Sequence, residues 1–300
     1  MRSFRDYFLL ILKGAGMGAA DVIPGVSGGT IAFITGIYTE LINSLKSIDL
    51  EAFRHLFRGR IGTFFRHING WFLVSVFGGI LVSIFSLARL MKWLLLNYPI
   101  MVWSFFFGLI LGSSLFVLGS AGKLRYRDWI SFFGGIIAAW FITSVSPATT
   151  PDTWWFIILS GAIAICAMIL PGISGAFILV LLGKYQFIIT AVGEMQAGTL
   201  ILFAVGAVTG LILFSNLLSW LLANFHTVTI TTLAGFMIGS LNKIWPWKLT
   251  EPATAGQNVL PGAYLSAGEG DPMIAGAAIM FAAGVLLMII LEFIGRRYKK

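Results

Sequence analysis

The sequence predicts an all-α polytopic membrane protein made of two inverted-topology repeats, each a broken (re-entrant) helical hairpin plus three transmembrane helices. Three observations carry that prediction. Of 300 residues, 58% are hydrophobic and 11% charged, with a mean hydropathy of +0.93. A soluble domain carries about 25% charged residues, so this chain lacks the polar groups to cover a water-facing surface. Apolar stretches long enough to cross a bilayer recur along its length, and two of them are cut by the same motif, Pro-Gly-(Val/Ile)-Ser-Gly, at 24–28 and 171–175. The net charge of +8 then reads as a topology signal. No segment has the form of a nucleic-acid-binding module.

A spanning helix needs about 20 mostly apolar residues. The first apolar stretch, 7–42, contains 36 residues. As one helix it would reach about 54 Å, against a hydrocarbon core of about 30 Å. It is cut near its middle, so it makes either two full crossings or a re-entrant hairpin. Its basic, apolar and small-residue order imitates a signal peptide, but the motif that follows recurs inside the chain, which marks a structural unit. Single spans follow at about 71–96, 99–119 and 129–147. The stretch 154–192 repeats the first, again over-long and cut by Pro-Gly, and is followed by spans at about 199–223, 228–245 and 272–294. The predicted repeats are therefore 1–147 and 148–300.

Positive charge sets the orientation. With the N-terminus in the cytoplasm, the loop 43–70 (Lys46, Arg54, Arg58, Arg60, Arg66), the loop 120–128 (Lys123, Arg125, Arg127) and the C-terminal tail (Arg296, Arg297, Lys299, Lys300) all fall inside. The opposite connections carry only Lys248. The basic loop 43–70 either contacts anionic headgroups or only fixes topology.

The halves align. Pro24-Gly25-Val26-Ser27-Gly28 matches Pro171-Gly172-Ile173-Ser174-Gly175, and Gly36 and Tyr38 match Gly183 and Tyr185 at the same offset of 147. Further on, LMKWLLLN (90–97) matches LLSWLLAN (217–224), and GLILGS (108–113) matches GFMIGS (235–240). One hairpin plus three spans is an odd number of crossings, so the second copy is inverted. Inverted repeats with broken helices meeting near the midplane are a transporter architecture.

The breaks have a chemical reading. Proline removes a helical hydrogen bond and glycine admits unusual dihedrals, so Pro24, Gly25, Pro171 and Gly172 break the helix. Ser27 and Ser174 then cap new half-helices, whose first N–H groups suit an anion such as phosphate. Gly28, Gly29, Thr30 and Gly175 complete these phosphate-binding candidates. The alternative is a helix kink with glycines for close packing.

Ionisable residues at membrane depth are functional candidates by default. Asp21 precedes the first break, while its counterpart is Met168. Asp21 and Glu40 are candidates for coupling or capping. Arg89 and Lys184 are candidates for pairing with phosphate, Arg89 and Lys92 alternatively snorkelling to the interface. Asn242 and Lys243, before the aromatic run IWPW, are candidates for a headgroup contact. No catalytic residue and no metal site is assigned. HExxH, GxSxG and Walker patterns are absent, Cys166 is the sole cysteine, and His55, His67 and His226 lie far apart in sequence.

These segments, AADVIPGVSGGTIAFITGIYTELI (19–42), FFFGLILGS (105–113), PGISGAFILVLLGKY (171–185) and GFMIGSLNKIWPWK (235–248), resemble the PopT family of bacterial polyprenyl-phosphate transporters over essentially the whole chain. The resemblance implies translocation of undecaprenyl phosphate, the cell-wall lipid carrier, back to the cytoplasmic leaflet of the inner membrane. Its motif positions here are Asp21, Pro24, Gly25, Ser27, Gly28, Gly29 and Thr30, then Pro171, Gly172, Ser174 and Gly175. The family's acidic residue directly after the first motif's tyrosine has no match, since Thr39 intervenes before Glu40.

The residues also admit two rivals. An undecaprenyl-diphosphate phosphatase would use Ser27 or Ser174 as nucleophile. A small-anion channel or exchanger would use the same half-helix ends. No cofactor is implied. A coupling proton on Asp21 and a sodium ion on unwound carbonyls are both open, and the GxxxG-like spacings suit packing within the chain or in a homo-oligomer.

Overall fold

The structure, a computed structural model, describes the backbone over residues 3–21, 27–144, 150–250 and 256–297, with the side chains of 50, 87–89, 92, 120, 193, 291–292 and 294–297 left out. The described residues form an all-α membrane protein. They include no strand, only an isolated antiparallel bridge between Lys248 and Asn258.

Both over-long stretches are broken hairpins. The first holds α1 (Phe4–Asp21), α2 (Gly28–Ile34) and α3 (Tyr38–Lys46). The second holds α9 (Trp154–Ile169), α10 (Gly175–Leu181) and α11 (Tyr185–Gly193). The turns after α2 and α10 use Gly36 (φ +73°) and Gly183 (φ +63°) in the left-handed region, which costs glycine little. α10 and α11 meet at 114°. Seven residues then nine, so sharply bent, form no single straight spanning helix. The basic loop 43–70 is itself helical, as α4 (Leu50–Phe57) and α5 (Ile61–His67).

Helices stand at the remaining predicted positions: α6 (Gly70–Asn97), α7 (Pro99–Ser120), α8 (Tyr126–Ser144), α12 (Ala197–Asn224), α13 (His226–Ser240) and α15 (Ile274–Arg297). The predicted span 228–245 ends in a 3₁₀ turn, Leu241–Ile244. The connection after it carries the short helix α14 (Pro261–Ser266).

By compactness the chain forms two units, residues 1–87 with 145–229, and 88–144 with 230–300. Each draws on both halves of the sequence. In the first unit small residues bring helix backbones together. A Cβ at Gly14 or Gly18 of α1 would overlap Val76 or Ile80 of α6, and one at Gly206 or Gly210 of α12 would overlap α9 at Ile158 or Ala162. In the second unit α7 packs on α15 through Gly108 and Gly284, and α8 on α13 through Gly135, Gly235 and Gly239. Lipid tails are as apolar as leucine, so helix association in a bilayer rests on such close van der Waals packing.

Candidate functional site

The two hairpins meet inside the first unit, where residues that follow the first break reach the second. Pro171 ends α9 and orphans its last carbonyls. Hydroxyls of the other hairpin supply the donors. Ser27 Oγ shares its hydrogen between the carbonyls of Met168 (3.2 Å) and Leu170 (3.4 Å), and Tyr38 Oη donates to that of Ile169 (3.2 Å). In return the Gly172 amide donates to Thr30 Oγ1 at 2.8 Å. Ser27, Thr30, Tyr38 and Ser174 are all buried. The Pro-Gly-Ile-Ser-Gly break is thus closed by side chains of the Ser-Gly-Gly-Thr segment that follows the first break. Pro24 and Gly25 lie outside the described residues, as does the side chain of Arg89.

The two half-helices are capped differently. At α2, Ser27 is an extended N-cap (φ −117°, ψ 133°) whose Oγ accepts from the Gly29 amide at 3.1 Å. The Gly28 amide donates to Asp21 Oδ1 at 2.7 Å, and the Thr30 amide to the Ser27 carbonyl at 2.9 Å. A carboxylate therefore already stands where an external anion would bind. At the far end Lys13 Nζ donates to the Thr35 carbonyl at 2.8 Å. Acid at the N-terminus and base at the C-terminus both oppose the helix dipole. At α10, Ser174 has the same extended backbone (φ −97°, ψ 132°) but makes no capping bond, and Met168 replaces the carboxylate.

The motif glycines pack against protein. A Cβ on Gly28 would stand 2.5 Å from Asp21 Oδ2, one on Gly29 2.7 Å from the Ile169 carbonyl oxygen, and one on Gly175 2.6 Å from that of Ala164. Gly29 permits the hairpins to close on each other, while Gly28 and Gly175 permit each hairpin to fold closely on itself.

Other predicted residues lie away from the breaks. Lys184 is at the opposite end of α10 from Ser174. Only 1% exposed, it is ion-paired with Asp152, donates to the Thr150 carbonyl at 2.9 Å, and lies 5.5 Å from the ring centres of Phe156 and Phe187. Glu40 accepts from Asn69 Nδ2 at 2.8 Å, beside a polar hollow of about 520 Å³ lined by Gly36, Thr39, Asn43 and His67. Asn242 and Lys243 belong to the second unit. Asn258 Nδ2 donates to the carbonyl and side-chain oxygens of Asn242, both at 2.7 Å, and Lys248 Nζ donates to the Lys243 carbonyl while lying 5.1 Å over Trp103. Burial, then the neighbouring Lys243 charge, push the Lys248 ammonium down to about 8.

Three contributors escape a reading of the sequence. Tyr38 shows there only as a match to Tyr185; its bond to Ile169 is a tertiary fact. Asp152 sits in a loop with no motif. Ser83, three residues beyond the Ile80 that faces Gly18, is 1% exposed, with no partner for its Oγ among the described residues.

Two broken hairpins bonded to each other, with the apolar helices α6 and α12 packed against them, are the arrangement of a multi-pass membrane transporter. A family model described as VCA0040-like, undecaprenyl phosphate translocase-like, matches residues 17–259, and the chain belongs to that family. It is 49% identical over 245 residues to the polyprenyl-phosphate transporter of Vibrio cholerae, covering 82% of this chain and 80% of the relative. It is 32% identical over 266 residues to the polyprenyl-phosphate transporter of Staphylococcus aureus, covering 82% and 88%. No solved structure matches it significantly.

Proposed function

We propose that the chain flips undecaprenyl phosphate across the bacterial cytoplasmic membrane, returning the lipid carrier to the inner leaflet, with its termini in the cytoplasm. Membership of the translocase-like family supports the substrate. The observation that carries the mechanism is the closure of the second break by Ser27, Thr30 and Tyr38 of the first hairpin.

A lipid phosphate must exchange its water for fixed donors while its prenyl tail stays in the bilayer. Ser174 and the α10 amides after it offer a half-helix end without a side-chain cap. At α2 the phosphate takes the place of the Asp21 carboxylate at the Gly28 amide. Asp21 accepts a proton as it leaves, because a second anion beside the phosphate in a medium of low dielectric would be repelled. Opening the Ser27–Met168 and Thr30–Gly172 bonds on one side and remaking them on the other exposes the site alternately. The helix pairings support a duplication: α1 with α6 matches α9 with α12, and α7 with α15 matches α13 with α8. Asn242, Lys243 and Lys248 provide the outer contact that collects the headgroup.

The test is movement of undecaprenyl phosphate in proteoliposomes, with Ser27→Ala/Ser174→Ala and Asp21→Asn as variants. Movement lost in folded variants supports the site. Release of phosphate from a diphosphate lipid makes the protein a phosphatase, and flux of small anions without lipid movement makes it an exchanger.

A further inference from the structure

Outside the hairpins, α4 and α5 bring together a set of ligating side chains that the sequence holds apart. Asp49 is the N-cap of α4, its Oδ1 accepting from the Ala52 amide at 2.8 Å and lying 3.1 Å from His67 Nε2, on the last residue of α5. Glu51 joins them from the first turn of α4. One ligand atom from each of Asp49, Glu51 and His67 falls within 4.8 Å of the other two. His55, one helical turn after Glu51, places Nε2 3.8 Å from Glu51 Oε1, and its ring centre lies 6.0 Å from that of His67. The buried His55 Nδ1 has no hydrogen-bond partner among the described residues.

We propose that Asp49, Glu51 and His67, with His55 as a fourth donor, bind a first-row divalent cation of the zinc class. Imidazole and carboxylate are the donors zinc takes, at about 2.0–2.2 Å, so tetrahedral ligands stand roughly 3.3–3.6 Å apart. The Asp49–His67 separation of 3.1 Å is already close to that, and the wider separations, up to 4.8 Å, contract by side-chain rotation. The carboxylates have room to rotate, since Asp49 is 46% and Glu51 64% exposed. Two carboxylates this close repel each other, and a divalent cation relieves that repulsion. The ion clamps α4 to α5 and so fixes the start of α6, which follows α5 at a bend of 75°. The inference does not depend on the transport reading.

A hydrogen-bonded Asp49–His67 pair would also stand without metal, and the variants separate the two. Untagged protein in detergent is equilibrated with zinc chloride, dialysed, and measured for bound zinc and thermal unfolding, with Glu51→Gln, His67→Gln and Asp49→Asn alongside. Glutamine in place of His67 still donates to Asp49, and asparagine in place of Asp49 still caps α4, so metal-free melting should be unchanged in all three. The site predicts about one retained zinc per chain and a rise in wild-type melting temperature. Loss of an outer-sphere partner alone costs about 10–100-fold in metal affinity, so each variant should lose at least that. Wild type that retains no zinc, or variants that hold it as well as wild type does, overturns the proposal.

Discussion

Asp21 and Lys13 bracket the seven residues of α2, one bonded to its first amide and the other to the carbonyl just past its end. Asparagine in place of Asp21 keeps an acceptor for Gly28 but cannot carry the charge. Asp21→Asn is therefore expected to lose about 1 kcal/mol or less of stability while lipid movement is largely lost; unchanged transport would leave Asp21 a structural cap only. Lys248 makes a pH prediction. Its ammonium is pushed down to about 8, against about 10.4 in an unfolded chain. Below about 8 the folded protein bears the whole cost of holding that charge in a half-buried site. The cost fades as pH rises from about 8 towards 10.4, because there the unfolded chain binds more protons. Lys248→Gln should then stabilise the protein at pH 7 and do little at pH 10.5, as read by melting temperature. Binding of the phosphate lipid should weaken from pH 7 to 9 in wild type and stay flat in the variant.

At the scale of elements, the second hairpin is held by an unequal ion pair, with Lys184 1% and Asp152 63% exposed. Removing the exposed partner strands a buried cation, whereas removing the buried one leaves a carboxylate that water can reach. Asp152→Ala is expected to cost about 1–3 kcal/mol, and more than Lys184→Met, which refills the space with an apolar chain of similar length. The reverse order of melting temperatures would count against this latch. The α9–α12 seam gives a steric test. Gly206 lies so close to Ile158 that a Cβ cannot fit, so Gly206→Leu must part the helices and is expected to cost about 1–3 kcal/mol or more. The long helices were legible because each is a long apolar run. The helices α4 and α5 were not, because their sequence is basic and mixed and their order rests on caps such as Asp49.

For the whole molecule, the orientation drawn from positive charge is open to direct labelling. In a Cys166→Ser background, cysteines at Arg60 and Lys123 should react only from the cytoplasmic side and one at Ala263 only from outside; any other pattern breaks the inverted topology. Composition and order alone determined that this chain is an all-α membrane protein, where its long apolar helices lie, and that two Pro-Gly-(Val/Ile)-Ser-Gly motifs recur, because hydropathy and helix breaking are local properties of the residues. The same motifs identified the family. Only the tertiary structure decided what the breaks do. It gave the orphaned carbonyls of α9 to Ser27 and Tyr38, turned Lys184 to Asp152, filled the space at the motif glycines with protein, and set His67 beside Asp49 across 18 positions of sequence. Each of these is a pairing between groups distant in the chain. A hydroxyl or carboxylate has the same chemistry wherever it stands, so its partner is fixed by which backbone group the fold leaves unsatisfied within reach.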